Sequence, residues 1–572
     1  MLELEQHKER VAKIQQQIIT EPSYSQLEWL CGGARLILQD ANHFIDSRDF
    51  TKLDAYRNYG QRVNTYVRYW CNRNRQIQDD DYDKLYWQTY LNGAQAMIFN
   101  DYLLYLERKR ESRKMFYKPK IKQFEKFRLI EAYQGMIDDR YDILCISLPP
   151  GTGKTTILKF FHSAVIGWFP DDYSLFYSHS GDITRMYYDG VLQMVDDSIE
   201  YTWHEIFPDL KITSTNALMQ QFNVGKYKPF PSLQTTSVGA KSAGKVRASK
   251  FLLIDDMIGS LEESLNKNYL DKMWGAYTVD ARQRKTVDSN NKPCKEIIVA
   301  TRWSTKDVIG RVIEQYEGND RVKVISVPAT DPTTGESNFN YAVGGFSKEF
   351  FADQARTMDD ISYRCLYLQQ PIEREGLLFP DDKIQRYDTL PSRKIERVTA
   401  QCDTKSSGTD YFVLPVLVKY EGKDDLYYCV DCICSNSADY ELQYESSANI
   451  LVNNNVEDCE FEGNSGGDRV ALEVEKRVLE KGWICKISTR MTETNKEARI
   501  YQCSSWILQH VVFKDRKLYT SKEPYGIMMS LLEQYSVSGK KQLDDVPDTF
   551  SNFALRMQRR KARTTRVIGS VY

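Results

Sequence analysis

The segment Leu148-Pro149-Pro150-Gly151-Thr152-Gly153-Lys154-Thr155-Thr156 constrains the fold more than any other part of the chain. It follows an apolar run, Ile143 to Leu148, and opens a stretch with helical spacing. A glycine-rich turn between a strand and a helix presents successive backbone N–H groups to a polyphosphate, and a lysine at its end meets the β and γ oxygens. Pro150, Gly151, Thr152, Gly153, Lys154, Thr155 and Thr156 are therefore candidate ATP-binding residues, with the Thr155 hydroxyl a candidate Mg2+ ligand. The strict form of this motif has glycine where the chain has Leu148.

Such a loop belongs at the end of a strand in a parallel sheet. Ser174–Ser178, Phe251–Ile254 and Ile297–Ala300 are further short apolar runs, and they suit strands buried on both faces. The third of these four runs ends in Asp255-Asp256. Asp255 is expected in the Mg2+ shell, and Asp256 is placed to polarise the attacking water, with Glu262 or Glu263 as substitutes. Thr301, at the tip of the fourth run, is a candidate sensor of the γ-phosphate. Arg302 either binds phosphate or caps a helix, and Arg185 could reach a neighbouring subunit's nucleotide. The loop Gly239 to Arg247, with Lys241 and Lys245, either contacts DNA phosphates or is solvated.

A second α/β unit begins near Val398, after a polar stretch from Asp381 to Glu396. Asp403 ends its first strand, and Glu462 ends another at a glycine-rich junction. Asp544, Asp545 and Asp548 open a helical pattern near the C-terminus. Acids from separated segments can converge on two divalent ions that activate water and stabilise the leaving oxygen in phosphodiester cleavage. Hard oxygen ligands suit Mg2+ or Mn2+. Asp544 could serve only as a helix N-cap, whereas Asp545 and Asp548 share a helical face, which favours metal duty for at least one.

With Lys+Arg 77 against Asp+Glu 79, the net charge of −2 excludes a uniformly cationic nucleic-acid coat. Any DNA must be met by local patches such as the C-terminal cluster Arg556, Arg559, Arg560, Lys561, Arg563 and Arg566. No run approaches the length of a membrane span. The 12 cysteines are scattered as in a reduced protein, and Cys429, Cys432 and Cys434 read as packed strand thiols because no second ligand pair or histidine accompanies them. The expected organisation is an N-terminal helical region over 1–115, a P-loop ATPase domain of the ASCE type over 116–375, a linker over 376–396, and a second α/β domain over 397–572. Helices are expected over Glu5 to Ile19 and Leu85 to Leu106, among others, bracing the next domain or docking a partner.

Taken in order, these residues resemble the large terminase subunit of tailed bacteriophages over roughly residues 116–555. Thr301-Arg302-Trp303-Ser304 with Asp307, Gly310 and Arg311 adds to the match, as do Tyr367 to Pro371 and Asn495-Lys496-Glu497-Ala498-Arg499. The resemblance implies a nuclease of the RNase H-like fold after the ATPase, with Asp403, Glu462 and Asp545 holding its metals. It also implies a motor that drives double-stranded viral DNA through the portal into a procapsid and cuts the concatemer. Its implied partners are the portal protein, the small terminase subunit and copies of itself in a ring, in the host cytoplasm and transiently on the procapsid. Gln123 lies where an adenine-contacting residue would be. The competing readings are a DNA repair or recombination ATPase–nuclease and a nucleotide-switched assembly factor without nuclease activity.

Overall fold

A computed structural model of the protein describes residues 1–75, 80–240, 246–358, 360–371, 377–404, 410–463, 466–491, 495–536 and 542–569. The chain divides into two units. The first comprises Met1–Ser260, Asn268–Arg356 and Tyr363–Pro371; the second comprises Leu261–Lys267, Thr357–Ser362 and Ile372–Tyr572.

The first unit begins with helices Leu4–Gln15, Tyr24–Ala41, His43–Asp46, Phe50–Arg75, Asp80–Gln95 and Phe99–Leu106. Ser23 accepts a hydrogen bond from the Gln26 backbone and Gln26 reaches back, a capping box that fixes where the second helix starts. Leu27, Leu30, Ala34 and Ile37 then pack against Leu53, Tyr56, Val63 and Val67 in one apolar core. The helix expected over Glu5 to Ile19 stops at Gln15, because beyond it Ile19 is fully exposed and gains nothing from helical phase. The stretch Leu85 to Leu106 is broken at Met97, which takes a φ of 61° and so cannot continue the helix.

Its sheet has eight strands: β1 Ile143–Ser147, β2 Ser174–Ser178, β3 Ile212–Asn216, β4 Gln221–Val224, β5 Leu233–Ser237, β6 Phe251–Asp255, β7 Lys295–Val299 and β8 Val322–Ser326. They lie in the order β3-β4-β5-β2-β6-β7-β1-β8, parallel from β5 to β8, with an antiparallel β3–β4–β5 edge. β7 intervenes between β1 and β6, which is the ASCE arrangement. Ile146 and Asp255 both pair with Val299, so the three strands end level and their following loops share one sheet edge.

The second unit carries seven strands: β9 Gln385–Tyr387, β10 Ile395–Cys402, β11 Phe412–Tyr420, β12 Tyr427–Ser435, β13 Asp458–Glu462, β14 Lys486–Arg490 and β15 Val511–Lys514. The order is β14-β13-β10-β11-β12-β15-β9. β10, β11 and β12 form an antiparallel meander, and β13 and β14 run parallel to β10 on its other side, an RNase H-like α/β fold. β9, inside the polar stretch before Val398, extends the far edge. Helices Tyr440–Asn453 and Gly467–Glu480 cover one face, and Lys496–His510, Pro524–Glu533 and Asp545–Gly569 cover the other. Opposite β11 the register slips at Val430, so Cys429 and Cys432, three apart, point into the same core with Cys434. Among the described residues no helix is long and apolar enough to cross a membrane.

Candidate nucleotide and metal sites

In the first unit the loop after β1 turns on Gly151 (φ 76°) and Gly153 (φ 105°), conformations open to glycine, and hands over to the helix Lys154–Trp168. Side chains also press on it: a Cβ at Gly153 would stand 2.7 Å from Phe116, and one at Gly151 3.0 Å from Phe346. Tyr341 donates its hydroxyl to the Thr152 carbonyl at 3.2 Å, and the Lys120 ammonium lies 4.9 Å from the Tyr341 ring. Leu148, where the strict motif has glycine, is a buried core residue. Pro149 accepts from the Thr152 hydroxyl at 2.7 Å, which closes the turn.

Lys154 donates to the Thr301 hydroxyl and lies 3.4 Å from an Asp256 oxygen. The other Asp256 oxygen accepts the Thr301 backbone N–H at 2.8 Å. Thr155 donates its hydroxyl to Asp255 at 2.6 Å. The tips of β1, β6 and β7 thus bring together Lys154, Thr155, Asp255, Asp256 and Thr301. Burial pushes the Asp255 carboxyl up to about 7, Asp256 adds to this, and Thr155, Lys154 and Lys159 oppose it. Among the described residues its second oxygen, which is buried, has no hydrogen-bond partner, and neither has the Ser178 hydroxyl on the adjacent strand. An orphaned anionic oxygen beside a threonine hydroxyl is a donor set that fits Mg2+. Asp256 holds a φ of 40°, a strained value for a residue with a side chain, and His179 bonds to its carbonyl.

The remaining first-unit candidates fall elsewhere. Arg302 is buried and paired through Nε with both Asp307 oxygens at 3.1 and 2.9 Å, while Asp307 caps the helix Val308–Gln315 through Gly310 N–H at 2.8 Å. Of its two expected roles, Arg302 takes the one at the helix cap. Arg185 pairs with Asp189 one turn on, at 3.4 Å. Gln123 donates to the Asn340 carbonyl at 3.0 Å, in the same strap as Tyr341. Glu262 and Glu263 sit on the short helix Leu261–Leu265, which groups with the second unit. Lys241 and Lys245 lie outside the described residues.

In the second unit Asp403 follows β10, its backbone paired with Val413 of β11 in both directions. Glu462 ends β13, where the chain turns so tightly that a Cβ at Gly467 would meet the Glu462 carbonyl at 1.7 Å. Gly408, Asn464 and Ser465, flanking these acids in sequence, lie outside the described residues. Asp545 and Asp548 occupy the first turn of the helix Asp545–Gly569. One carboxylate oxygen from each of Asp403, Glu462 and Asp548 lies within 4.8 Å of the others. The resemblance implies Asp545 as the third acid and the shared helical face offers Asp548 as well; the oxygens that converge are those of Asp403, Glu462 and Asp548. Asp545 stands beside them, accepting the Tyr411 backbone N–H at 2.8 Å.

Burial raises the Asp403 carboxyl well above the usual carboxylate range, with Asp548 adding to it and Lys496 opposing. Burial also raises Asp548, against the Arg499 guanidinium, and Asp545, against the Tyr411 N–H and Lys496. Among the described residues, Lys496 and Arg499 pair with the acids at the last helix's start, Asp544, Asp545 and Asp548. Crowded hard oxygen donors fit divalent cations. Neither Lys496 nor Arg499 carried a role in the sequence reading.

Of the C-terminal cations, Arg556 is buried, donates to the Ala400 carbonyl at 2.6 Å and pairs with Asp458, which Arg560 also engages. Lys561 pairs with Asp425 at 3.1 Å, and Arg559 lies 3.6 Å from Glu460. Arg556 and Arg560 at the start of the basic cluster therefore fasten the last helix to the sheet through Asp458. The side chains of Arg563 and Arg566 lie outside the described residues.

No protein-family model matches the chain, and no curated protein does. Among solved structures it is similar to the large terminase of the HK97 bacteriophage, at 12% identity over 81% of this chain and 99% of that one, with a TM-score of 0.34. The large terminase of a thermophilic bacteriophage, also solved with ADP and with ATP-γ-S, matches at 12% identity over 77% of this chain and 98% of its own, with a TM-score of 0.31. The ATPase domain of the Thermus phage P74-26 large terminase matches at 11% identity over 41% of this chain and 91% of its own, with a TM-score of 0.27. All three of these structures are large terminases of bacteriophages.

Proposed function

We propose that the chain is a large terminase subunit. Its first unit hydrolyses ATP to move double-stranded viral DNA through a portal into a procapsid, and its second is a metal-dependent endonuclease that cuts the concatemer. The observation that carries this reading is the presence of two separate centres in one chain: Lys154, Thr155, Asp255, Asp256 and Thr301 at one sheet edge, and Asp403, Glu462 and Asp548 within 4.8 Å at another.

In the first centre the N–H groups of the loop Gly151 to Thr155 bind the β- and γ-phosphates. Lys154 leaves Thr301 and Asp256 for the phosphate oxygens, while Thr155 and Asp255 would hold Mg2+, which would supply charge neutralisation there. Asp256 orients the attacking water and accepts its proton on a carboxylate oxygen. Because Asp256 also grips the Thr301 backbone, loss of the γ-phosphate is felt by the segment after β7. In the second centre Asp403, Glu462 and Asp548, with Asp545 adjoining, would hold Mg2+ or Mn2+, which would supply water activation and charge stabilisation for phosphodiester cleavage. The portal protein, the small terminase subunit and a ring of identical copies complete the machine, in the host cytoplasm and transiently on the procapsid.

Hydrolysis of ATP by the full-length protein, with and without linear double-stranded DNA, tests the motor reading. DNA is expected to stimulate hydrolysis, and Lys154→Ala to lower it by about 10²-fold or more, as for loss of a principal transition-state donor. Hydrolysis unaffected by DNA, or surviving in Lys154→Ala, contradicts it.

A further inference from the structure

We infer that Lys496 is a positioning residue that sorts the carboxylates of the second centre. It ties Asp544 and Asp545 into a structural pair and leaves Asp403, Glu462 and Asp548 to hold a divalent cation. The inference deepens the nuclease reading and rests on it.

The helix Lys496–His510 starts at a defined point because Asn495 caps it, accepting the Ala498 N–H at 3.1 Å. Lys496 and Arg499 stand three apart on its first turn and share a face. They meet the first turn of the helix Asp545–Gly569, whose Asp545 and Asp548 are also three apart. Two cations on one helix end thus oppose two acids on another.

The two contacts differ in kind. Arg499 takes Asp548 in a two-pronged grip, Nε to Oδ1 at 2.8 Å and Nη2 to Oδ2 at 2.7 Å. A planar fork fixes a carboxylate's plane and rotamer, while each oxygen keeps a second lone pair for another partner. Asp548 is thereby held rigid and still within 4.8 Å of Asp403 and Glu462. Lys496 behaves as a point charge: its ammonium lies 2.8 Å from Asp544, 3.3 Å from Asp545 and 3.7 Å from Asp548. Asp545 spends one oxygen on Lys496 and the other on the Tyr411 N–H at 2.8 Å. It is bound to the scaffold on both sides, and it falls outside the trio.

A single positive charge among these acids also competes with a divalent ion for the same field. Removing it should tighten metal binding while freeing Asp545 to enter the ligand set. A merely structural lysine predicts neither effect.

Mn2+ titration of the nucleotide-free full-length protein tests this, following the binding that Asp403→Asn abolishes. Asp548→Asn should weaken that binding by about tenfold or more, and Asp545→Asn by a clearly smaller factor, because both Asp545 oxygens are held by Lys496 and the Tyr411 N–H. Lys496→Met should tighten it by about threefold or more, and in that background Asp545→Asn should now weaken it. Lys496→Arg keeps the charge and should stay within about twofold of wild type. Plasmid cleavage at saturating Mn2+ should be slower in Lys496→Met despite its tighter metal. Thermal melts in EDTA establish that each variant is folded, and Lys496→Arg carries the test if Lys496→Met is not: loss of Asp545→Asn tolerance in Lys496→Arg overturns the inference. Equal weakening by Asp545→Asn and Asp548→Asn in the wild type, or unchanged affinity in folded Lys496→Met, overturns the sorting role alone. Absence of any Asp403-dependent Mn2+ binding overturns the metal reading and this inference with it.

Discussion

The Thr155 hydroxyl donates to Asp255 at 2.6 Å and ties the first turn after the phosphate loop to the tip of β6. Among the described residues Asp255 has no hydrogen-bond partner for its other, buried oxygen, so this contact only half-satisfies the carboxylate. Thr155→Val should therefore lose Mg2+-dependent nucleotide binding, by about tenfold or more, while the melting temperature without nucleotide changes little. Fluorescent-nucleotide titration with Mg2+ and with EDTA checks it: the two titrations should converge in the variant.

Asp256 bridges Lys154 and the Thr301 backbone. Asp256→Asn keeps the hydrogen bond to Thr301 but removes the base. It should lower kcat for ATP by about 10²-fold or more with KM nearly unchanged, the pattern of an interaction made only in the transition state. Glu262→Gln, on a helix grouped with the other unit, should hydrolyse ATP like wild type in the same steady-state assay.

Arg302 and Asp307 form a buried pair, and Asp307 doubles as a helix cap. Arg302→Met leaves that carboxylate buried without its cation, which costs about 3 kcal/mol or more. The melting temperature should fall, whereas nucleotide affinity of the folded protein at low temperature should hold. A selective loss of affinity would instead give Arg302 a phosphate to bind.

His162, on the helix after the phosphate loop, is fully buried, bonds to the Tyr187 hydroxyl at 3.2 Å, and has its proton affinity lowered by burial to about 3. The folded protein keeps it neutral while the unfolded chain protonates near the ordinary value of about 6.5. Its contribution is full above that value and is lost progressively as pH falls toward about 3. At pH 4.5 the loss is about 2–3 kcal/mol. Melting curves of His162→Leu and wild type should draw together, or cross, between pH 7.5 and 4.5. Parallel curves over that range would show that His162 is already charged or exposed.

The parallel strands were legible because they are buried on both faces: Ile143, Leu144, Cys145 and Ile146 leave no polar alternation to confuse them with surface elements. The loop from Pro150 to Thr156 and the acid after β6 were legible for the same reason, since a strand end locates them. β3, whose residues Thr213 to Asn216 are polar and exposed, carries no such signal. Tyr341 and Phe346 reach the phosphate loop from nearly two hundred residues away, which spacing cannot reveal. The third acid was open between Asp545 and Asp548 because both share a helical face. Lys496 and Arg499, which contact Asp545 and Asp548, lie on a different helix, so spacing within the last helix could not reveal them. A lysine and an arginine at a helix start ordinarily read as solvated charges.

If one chain carries two centres, each should be removable without the other. Supercoiled plasmid with Mn2+, and ATP hydrolysis in parallel, should be assayed for full-length wild type, Lys154→Ala and Asp403→Asn. Lys154→Ala should lose hydrolysis and still cut, while Asp403→Asn should hydrolyse ATP and no longer cut. Cutting that persists in Asp403→Asn, or a wild type that is folded and hydrolyses ATP but never cuts across Mg2+, Mn2+ and salt, would contradict the two-centre reading.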